Sequence, residues 1–325
     1  MSGKKVNYVY VSGENLRQLE EEFAAGITHE LGDWSSSSTI VTTSPGDVNV
    51  TFFIYRRAHI MMSHGVADKN YLLRPDELGG LEVNKYRTVC VPGPWMKRKL
   101  LAHPGVELSE QQIKIVGWPR IDKLLAEQAR QRTLSVPDAP TEGKKIKVLW
   151  APTHGAANAK HVVSSYPSFL GYEEKLKELF DYDSSLHPNV RPSKTPTFQK
   201  LIDADVVIAD RGTMVYEAWA LGKPVIFPSW LIKKGNIKTC PGSAENHIFQ
   251  EKIGLHARSF EELIGMIYTA TKPDATVEAF MEDYLPAATH GKSYKLLANA
   301  VQEIWASNDL RIKKKVKAPE ASLKA

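Results

Sequence analysis

The chain has 325 residues, two domains' worth at roughly 150 residues per domain. Its 42% hydrophobic and 24% charged residues, with 21 Gly and 19 Pro, exclude wholesale disorder, collagen and coiled coil. Two cysteines, Cys90 and Cys240, are too few for a disulfide framework or a structural zinc site, and a net charge of +5 permits an anionic partner without naming one.

The N-terminus lacks an apolar run of signal-peptide length, and no stretch approaches 18 apolar residues, so a cytoplasmic protein is expected. The sequon at Asn49 is then idle. Short β-branched runs alternate with longer helical stretches. Val6–Val11 reads as a strand, Glu14–Leu31 as a helix, Val48–Tyr55 and Thr88–Val91 as strands, Pro94–Ala102 as a helix, and Gln112–Val116 as a strand. Residues 126–144 are polar and carry Pro137, Pro140 and Gly143, the composition of a linker. Alternation resumes with strands at Ile146–Ala151, Asp205–Ala209 and Pro224–Pro228, and helices at Thr213–Leu221, Phe260–Ala270 and Lys292–Ala306. The last sixteen residues read as a frayed basic tail with Lys313, Lys314, Lys315 and Lys317. The pattern predicts an α/β protein of two parallel-sheet domains, with ligands in the cleft at the carboxyl ends of the strands.

Five segments at such places carry chemistry. His64-Gly65 sets an imidazole at a turn, suited to take a proton near neutral pH; the alternative is a half-buried structural histidine. Gly117-Trp118-Pro119-Arg120-Ile121-Asp122 forms a tight turn in which Asp122 caps or pairs with Arg120. Ala151-Pro152-Thr153-His154-Gly155 ends a strand, with His154 a phosphate ligand or a turn cap. His187-Pro188-Asn189-Val190-Arg191 offers an imidazole and a bidentate guanidinium to an anion, or is a solvated loop. The fifth is the strongest: a buried strand ends at Asp210, and Gly212 and Thr213 open a helix whose free N–H groups form an anion site. Glu217, four residues beyond Thr213, shares its face and is placed to accept from a ribose or sugar. Asp181-Tyr182-Asp183 has the form of a metal-binding D-x-D but is discounted, and no G-x-G-x-x-G, P-loop or H-E-x-x-H is present.

In order, these motifs resemble the CDP-glycerol glycerophosphotransferases of teichoic acid and capsule synthesis. The resemblance covers about residues 50–305 and rests on His64-Gly65, Gly117–Asp122, Ala151–Thr153, His187-Pro188, Asp210–Thr213, Lys223–Phe227 and His290-Gly291-Lys292-Ser293. Where that family has Thr-Pro-x-Lys after His-Gly, this chain has Val66-Ala67-Asp68-Lys69, and Arg211-Gly212-Thr213 replaces tandem serines.

The resemblance implies a GT-B fold. Residues 1–125 would be the acceptor-side domain, 145–290 the donor-binding domain, 291–308 a C-terminal helix packing back, and 309–325 the tail. It implies transfer of a glycerophosphate or sugar group from a CDP- or UDP-linked donor to an acceptor hydroxyl, with no cofactor and no metal. His64 and His187 would be catalytic; His154, Arg191, Asp210, Gly212, Thr213 and Glu217 would bind donor. The acceptor is a polyol phosphate, a polysaccharide or a nucleic-acid base. The basic tail suits an anionic surface, such as the inner membrane face, and Trp95–Lys99 suits either nucleic acid or membrane. A UDP-sugar 2-epimerase and a non-catalytic nucleotide-binding module are the other readings.

Overall fold

The computed structural model describes residues 3–134, 143–153, 164–186, 197–232 and 240–313. The chain divides into two compact units. One comprises residues 1–65, 70–119 and 283–325; the other comprises 66–69 and 120–282.

The first unit is built on six parallel strands: β1 (Lys5–Tyr10), β2 (Ser35–Ile40), β3 (Val48–Thr51), β4 (Ile60–Met62), β5 (Thr88–Val91) and β6 (Ile113–Ile115). Their order is β2-β1-β3-β4-β5-β6. Strands β3, β4 and β5 are buried at every position, as expected of parallel strands covered on both faces. Strand β2 (SSSSTI) is the exposed edge, and its serines escape a hydrophobicity reading. Strand β3 stops at Thr51, short of the expected Tyr55. Two buried asparagines sit in this sheet, and each is satisfied. Asn7 Nδ2 donates to Asn49 Oδ1 (2.8 Å) and Thr39 Oγ1 (3.0 Å), and Asn49 Nδ2 donates to Ser44 and Asp47 carbonyls. Asn49 is therefore a core residue.

Helix α1 (Glu14–Leu31) packs against a C-terminal helix, Ser293–Ala306. Gly26 makes this close: a Cβ there would lie 2.3 Å from the Tyr294 ring. Gly117, at φ +73°, is crowded in the same way, because its missing Cβ would fall 2.6 Å from Thr289 Oγ1 and 2.9 Å from Ser293 Oγ. The motifs around Gly117 and Ser293 thus meet as packing partners. Helix α2 (Pro94–Ala102) carries the Trp95–Lys99 stretch. Its basic residues are engaged within the unit: Arg98 with Asp283, Lys97 with Glu110, and Lys99 with Asn70 and the Trp95 ring.

The beginning of the basic tail is held rather than frayed. His59 Nε2 donates to the Leu310 carbonyl (3.0 Å), and Arg87 donates to the Arg311 carbonyl and pairs with Asp309. The tail beyond Lys313 lies outside the described residues.

The second unit has five parallel strands: β7 (Lys147–Ala151), β8 (Asp181–Ser184), β9 (Val206–Ala209), β10 (Val225–Pro228) and β11 (Leu255–Ala257). Their order is β11-β10-β9-β7-β8. Asp181 and Asp183 lie on edge strand β8, and Asp183 pairs with Lys200. The core is Val148, Trp150, Val206, Ile208 and Ile226 of the sheet, covered by Phe169, Leu176, Leu263 and Ile267. Helix α3 (Pro119–Leu134) corrects the linker expectation, because residues 126–134 are helical. Its last turns are anchored, with Gln128 Nε2 donating to the Leu221 carbonyl (3.0 Å). Among the described residues the remaining helices are α4 (Glu173–Leu179), α5 (Thr197–Asp203), α6 (Thr213–Ala220), α7 (Ala244–Gln250), α8 (Phe260–Thr269), α9 (Ala275–Tyr284) and α10 (Ser293–Ala306), the last belonging to the first unit. Among the described residues no helix is long and apolar enough to cross a membrane.

Candidate functional site

In each sheet the strand order reverses beside the unit's first strand: at β1/β3 in one, at β7/β9 in the other. Ligands of open α/β sheets bind at such a reversal, outside the carboxyl ends of the strands. In the second unit the segments leaving β7 and β9 are Pro152-Thr153 and Asp210-Arg211-Gly212.

Asp210 braces the two. Its Oδ1 accepts from the amides of Thr153 (2.7 Å) and Arg211 (2.7 Å). Its Oδ2 accepts from the Ser165 amide (2.7 Å) and the Ser165 hydroxyl (3.0 Å), while the nearby Ser164 hydroxyl donates to the Thr153 carbonyl (2.7 Å). Burial pushes its pKa up, and these amide and hydroxyl bonds oppose the rise. Four donors hold the carboxylate. Asp210 thus organises the segments around it. The brace continues into the core, where Trp150 Nε1 donates to Ser165 Oγ at 3.1 Å.

Gly212 follows at φ +154°, ψ −173°, a backbone state essentially reserved for glycine. It precedes α6, and among the described residues no side chain caps this helix start. The first amides of a helix have no intrahelical acceptor and carry partial positive charge. Gly212, Thr213 and Met214 are half-exposed, so this start is open. A Cβ on Gly212 would lie 3.4 Å from Thr153 Oγ1 and 3.9 Å from Lys69 Nζ. Lys69 Nζ donates to Thr153 Oγ1 at 3.5 Å. An ammonium, a hydroxyl and an open helix start thus share one spot, which suits a phosphate. Burial pushes the Lys69 pKa down, and Glu245 and Asp210 pull it back up.

Glu217 lies one turn into α6. It is wholly buried, with both carboxylate oxygens beneath the surface, and Oε1 lies 2.6 Å from Arg120 Nε. Burial pushes its pKa up and Arg120 opposes the rise. Arg120 therefore pairs with Glu217.

In the first unit His64 follows β4. Its ring stands edge-on to Tyr71 (centroids 5.2 Å) and tilted on Phe53 (5.7 Å). Nδ1 lies 3.3 Å from the Phe52 carbonyl, which can only accept, so Nδ1 carries the proton and Nε2 keeps its lone pair. Burial pushes the His64 pKa down, keeping the ring neutral near pH 7. A neutral imidazole with a free Nε2 is a competent base.

Of the other expected site residues, Gly212 and Thr213 stand together at the helix start, whereas His154, His187 and Arg191 lie outside the described residues. Lys69 was not singled out from sequence. Its signal was its position, four residues after Gly65, where the resembled family also has lysine.

A scan of protein-family models finds no match, and a search of curated proteins finds none. Solved structures do match. The wall teichoic acid polymerase TagF is similar with a TM-score of 0.61 at 12% identity, over 94% of this chain and 90% of that chain. The fold is GT-B. A TagF variant soaked with CDPG gives 0.59 at 13% identity, over 94% and 89% of the two chains. A Methanocaldococcus jannaschii UDP-GlcNAc 2-epimerase, in complex with UDP-GlcNAc and UDP, gives 0.49 at 12% identity, over 92% and 99%.

Proposed function

We propose that the chain is a transferase moving a glycerophosphate or sugar group from a nucleotide-activated donor to an acceptor hydroxyl, with CDP-glycerol the preferred donor. The observation that carries the reading is the open start of α6 at the β7/β9 reversal, bordered by Gly212, Thr153 Oγ1 and Lys69 Nζ. A donor phosphate fits it because fixed N–H groups and an ammonium are aimed at one point. The sequence resemblance and the likeness to TagF support the donor class.

In the reaction, His64 Nε2 takes the proton of the acceptor hydroxyl. The acceptor oxygen bonds to the transferred group, the bond to the nucleotide breaks, and its electron pair leaves with the nucleotide. The leaving species is CMP in glycerophosphate transfer and a nucleoside diphosphate in sugar transfer. His187 and Arg191 would share the neutralisation of that leaving charge, with no metal required.

The test is thermal stabilisation by CDP, UDP, GDP, ADP and their common conjugates. A ligand at 100 times its dissociation constant adds about 2.7 kcal/mol. That moves Tm by roughly 2–4 °C per kcal/mol for a domain of this size. A response to CDP and CDP-glycerol, and release of CMP on turnover, support the reading. A response to UDP or UDP-GlcNAc, with epimerised product and no acceptor, would replace it with the epimerase. Nucleotide binding with no turnover would leave a binding module.

A further inference from the structure

Residues Val66–Lys69 belong to the second unit, although the chain on either side of them belongs to the first. Two carboxylates hold this short segment. Asp68 Oδ2 accepts from the Ala244 amide, at the start of α7 (2.9 Å). Glu245, the next residue, returns the bond: Oε1 accepts from the Asp68 amide (2.9 Å) and Oε2 from the Lys69 amide (2.8 Å). The Tyr216 hydroxyl, from α6, donates to Glu245 Oε1 at 2.7 Å. Asp68, Glu245 and Tyr216 are all buried.

The backbone so held is strained. Lys69 and Asn70 lie at φ +41° and +55°, left-handed values that two consecutive residues with side chains rarely adopt. The end of the Lys69 side chain is held far less tightly. Among the described residues its one hydrogen bond is the 3.5 Å contact with Thr153 Oγ1, at the long end of the range. Its nearby carboxylates are already occupied, Glu245 by two amides and a phenol, Asp210 by amides and the Ser165 hydroxyl. A segment this tightly tied, ending in a cation this loosely tied, presents that cation to something else.

We infer that Lys69 is the cationic ligand of the phosphate bound at the start of α6, and that Glu245 is the residue that positions it. The inference rests on reading this site as a donor-phosphate site. The aim of the ammonium then depends on the Asp68–Glu245 clamp, through two backbone amides, and not on a direct ion pair.

The experiment is titration calorimetry of the full chain with CDP, UDP, GDP, ADP and inorganic pyrophosphate. Wild type is compared with Lys69→Met, Lys69→Arg, Glu245→Gln and Lys69→Met/Glu245→Gln. Lys69→Met should weaken the bound diphosphate about 10- to 100-fold, the loss of one charged hydrogen bond. Lys69→Arg should restore part of it. Glu245→Gln should weaken the same ligand in wild type and do nothing further in the Lys69→Met background. Tyr216→Phe, which removes one bond to Glu245, gives a milder version should Glu245→Gln fail to fold. Wild-type affinity in Lys69→Met would overturn the ligand role while leaving the donor site standing. Equal effects of Glu245→Gln in both backgrounds would overturn the positioning role. No binding of any of the five probes by wild type would overturn the donor-site reading and this inference together.

Discussion

Replacing Arg120 by methionine strands a charge. Glu217 is wholly buried, and Arg120, about a third exposed, is its ion-pair partner at 2.6 Å. Removing one partner of a buried pair costs about 3–5 kcal/mol, because the other charge is left uncompensated. The partial exposure of Arg120 places this pair at the lower end, about 3 kcal/mol. At roughly 2–4 °C per kcal/mol, Tm should fall by about 6–12 °C at pH 7.5. The sign of the pH dependence follows from the raised pKa of Glu217. A carboxyl whose folded pKa is raised favours the folded state while protonated, and that contribution is lost as pH rises through its folded value. Without Arg120 the pKa rises further, so the deficit should be largest at neutral pH and shrink as pH falls through the raised value toward the ordinary carboxylate range. The double variant Arg120→Met/Glu217→Met removes both charges and should recover most of the loss. Urea unfolding of the three proteins from pH 4.5 to 8 measures this directly. A single variant within about 0.5 kcal/mol of wild type at pH 7.5, or a double variant no more stable than the single, would refute the argument.

Two further outcomes are expected. His64→Ala should lower turnover by about 10²–10⁴-fold, the contribution of a positioned base, with donor affinity retained. Because burial lowers the His64 pKa, wild-type kcat should fall only as the medium drops below the ordinary histidine range, and turnover within a few-fold of wild type in the variant would remove the base assignment. Gly212→Ala forces a side chain into a glycine-only conformation against Thr153 and should cost about 1–3 kcal/mol of stability. It should also weaken CDP, and calorimetry showing unchanged affinity would mean that the α6 start is not where the phosphate sits.

The elements legible from sequence were those whose pattern repeats over many residues or is punctuated at its ends. Helix α1 begins and ends where its periodicity does, and α2 begins at the proline that suits a first helical position. The buried runs of β5, β9 and β10 stood out because parallel strands covered on both faces are continuously apolar. Strands β2, β4 and β11 did not, one being a polar edge and the others three residues long. The helical end of α3 was hidden by polarity, since its outer face is solvated and polar side chains, Gln128 to the Leu221 carbonyl and Gln131 to Gln199, anchor it.

The site divides along the same line. Local order along the chain determined the strand, the glycine and the helix start at Ala209–Thr213, because a strand-turn-helix is specified by neighbours. What the side chains do there was decided by residues far away in sequence. Asp210 is occupied by Thr153 and Ser165, Glu217 is neutralised by Arg120, and Lys69 is aimed by Glu245, 176 residues along the chain. Composition and periodicity encode which segments bury themselves, because burial depends on each segment's own apolar face. Which carboxylate meets which donor depends on how distant segments are brought together, and only the folded chain determines that.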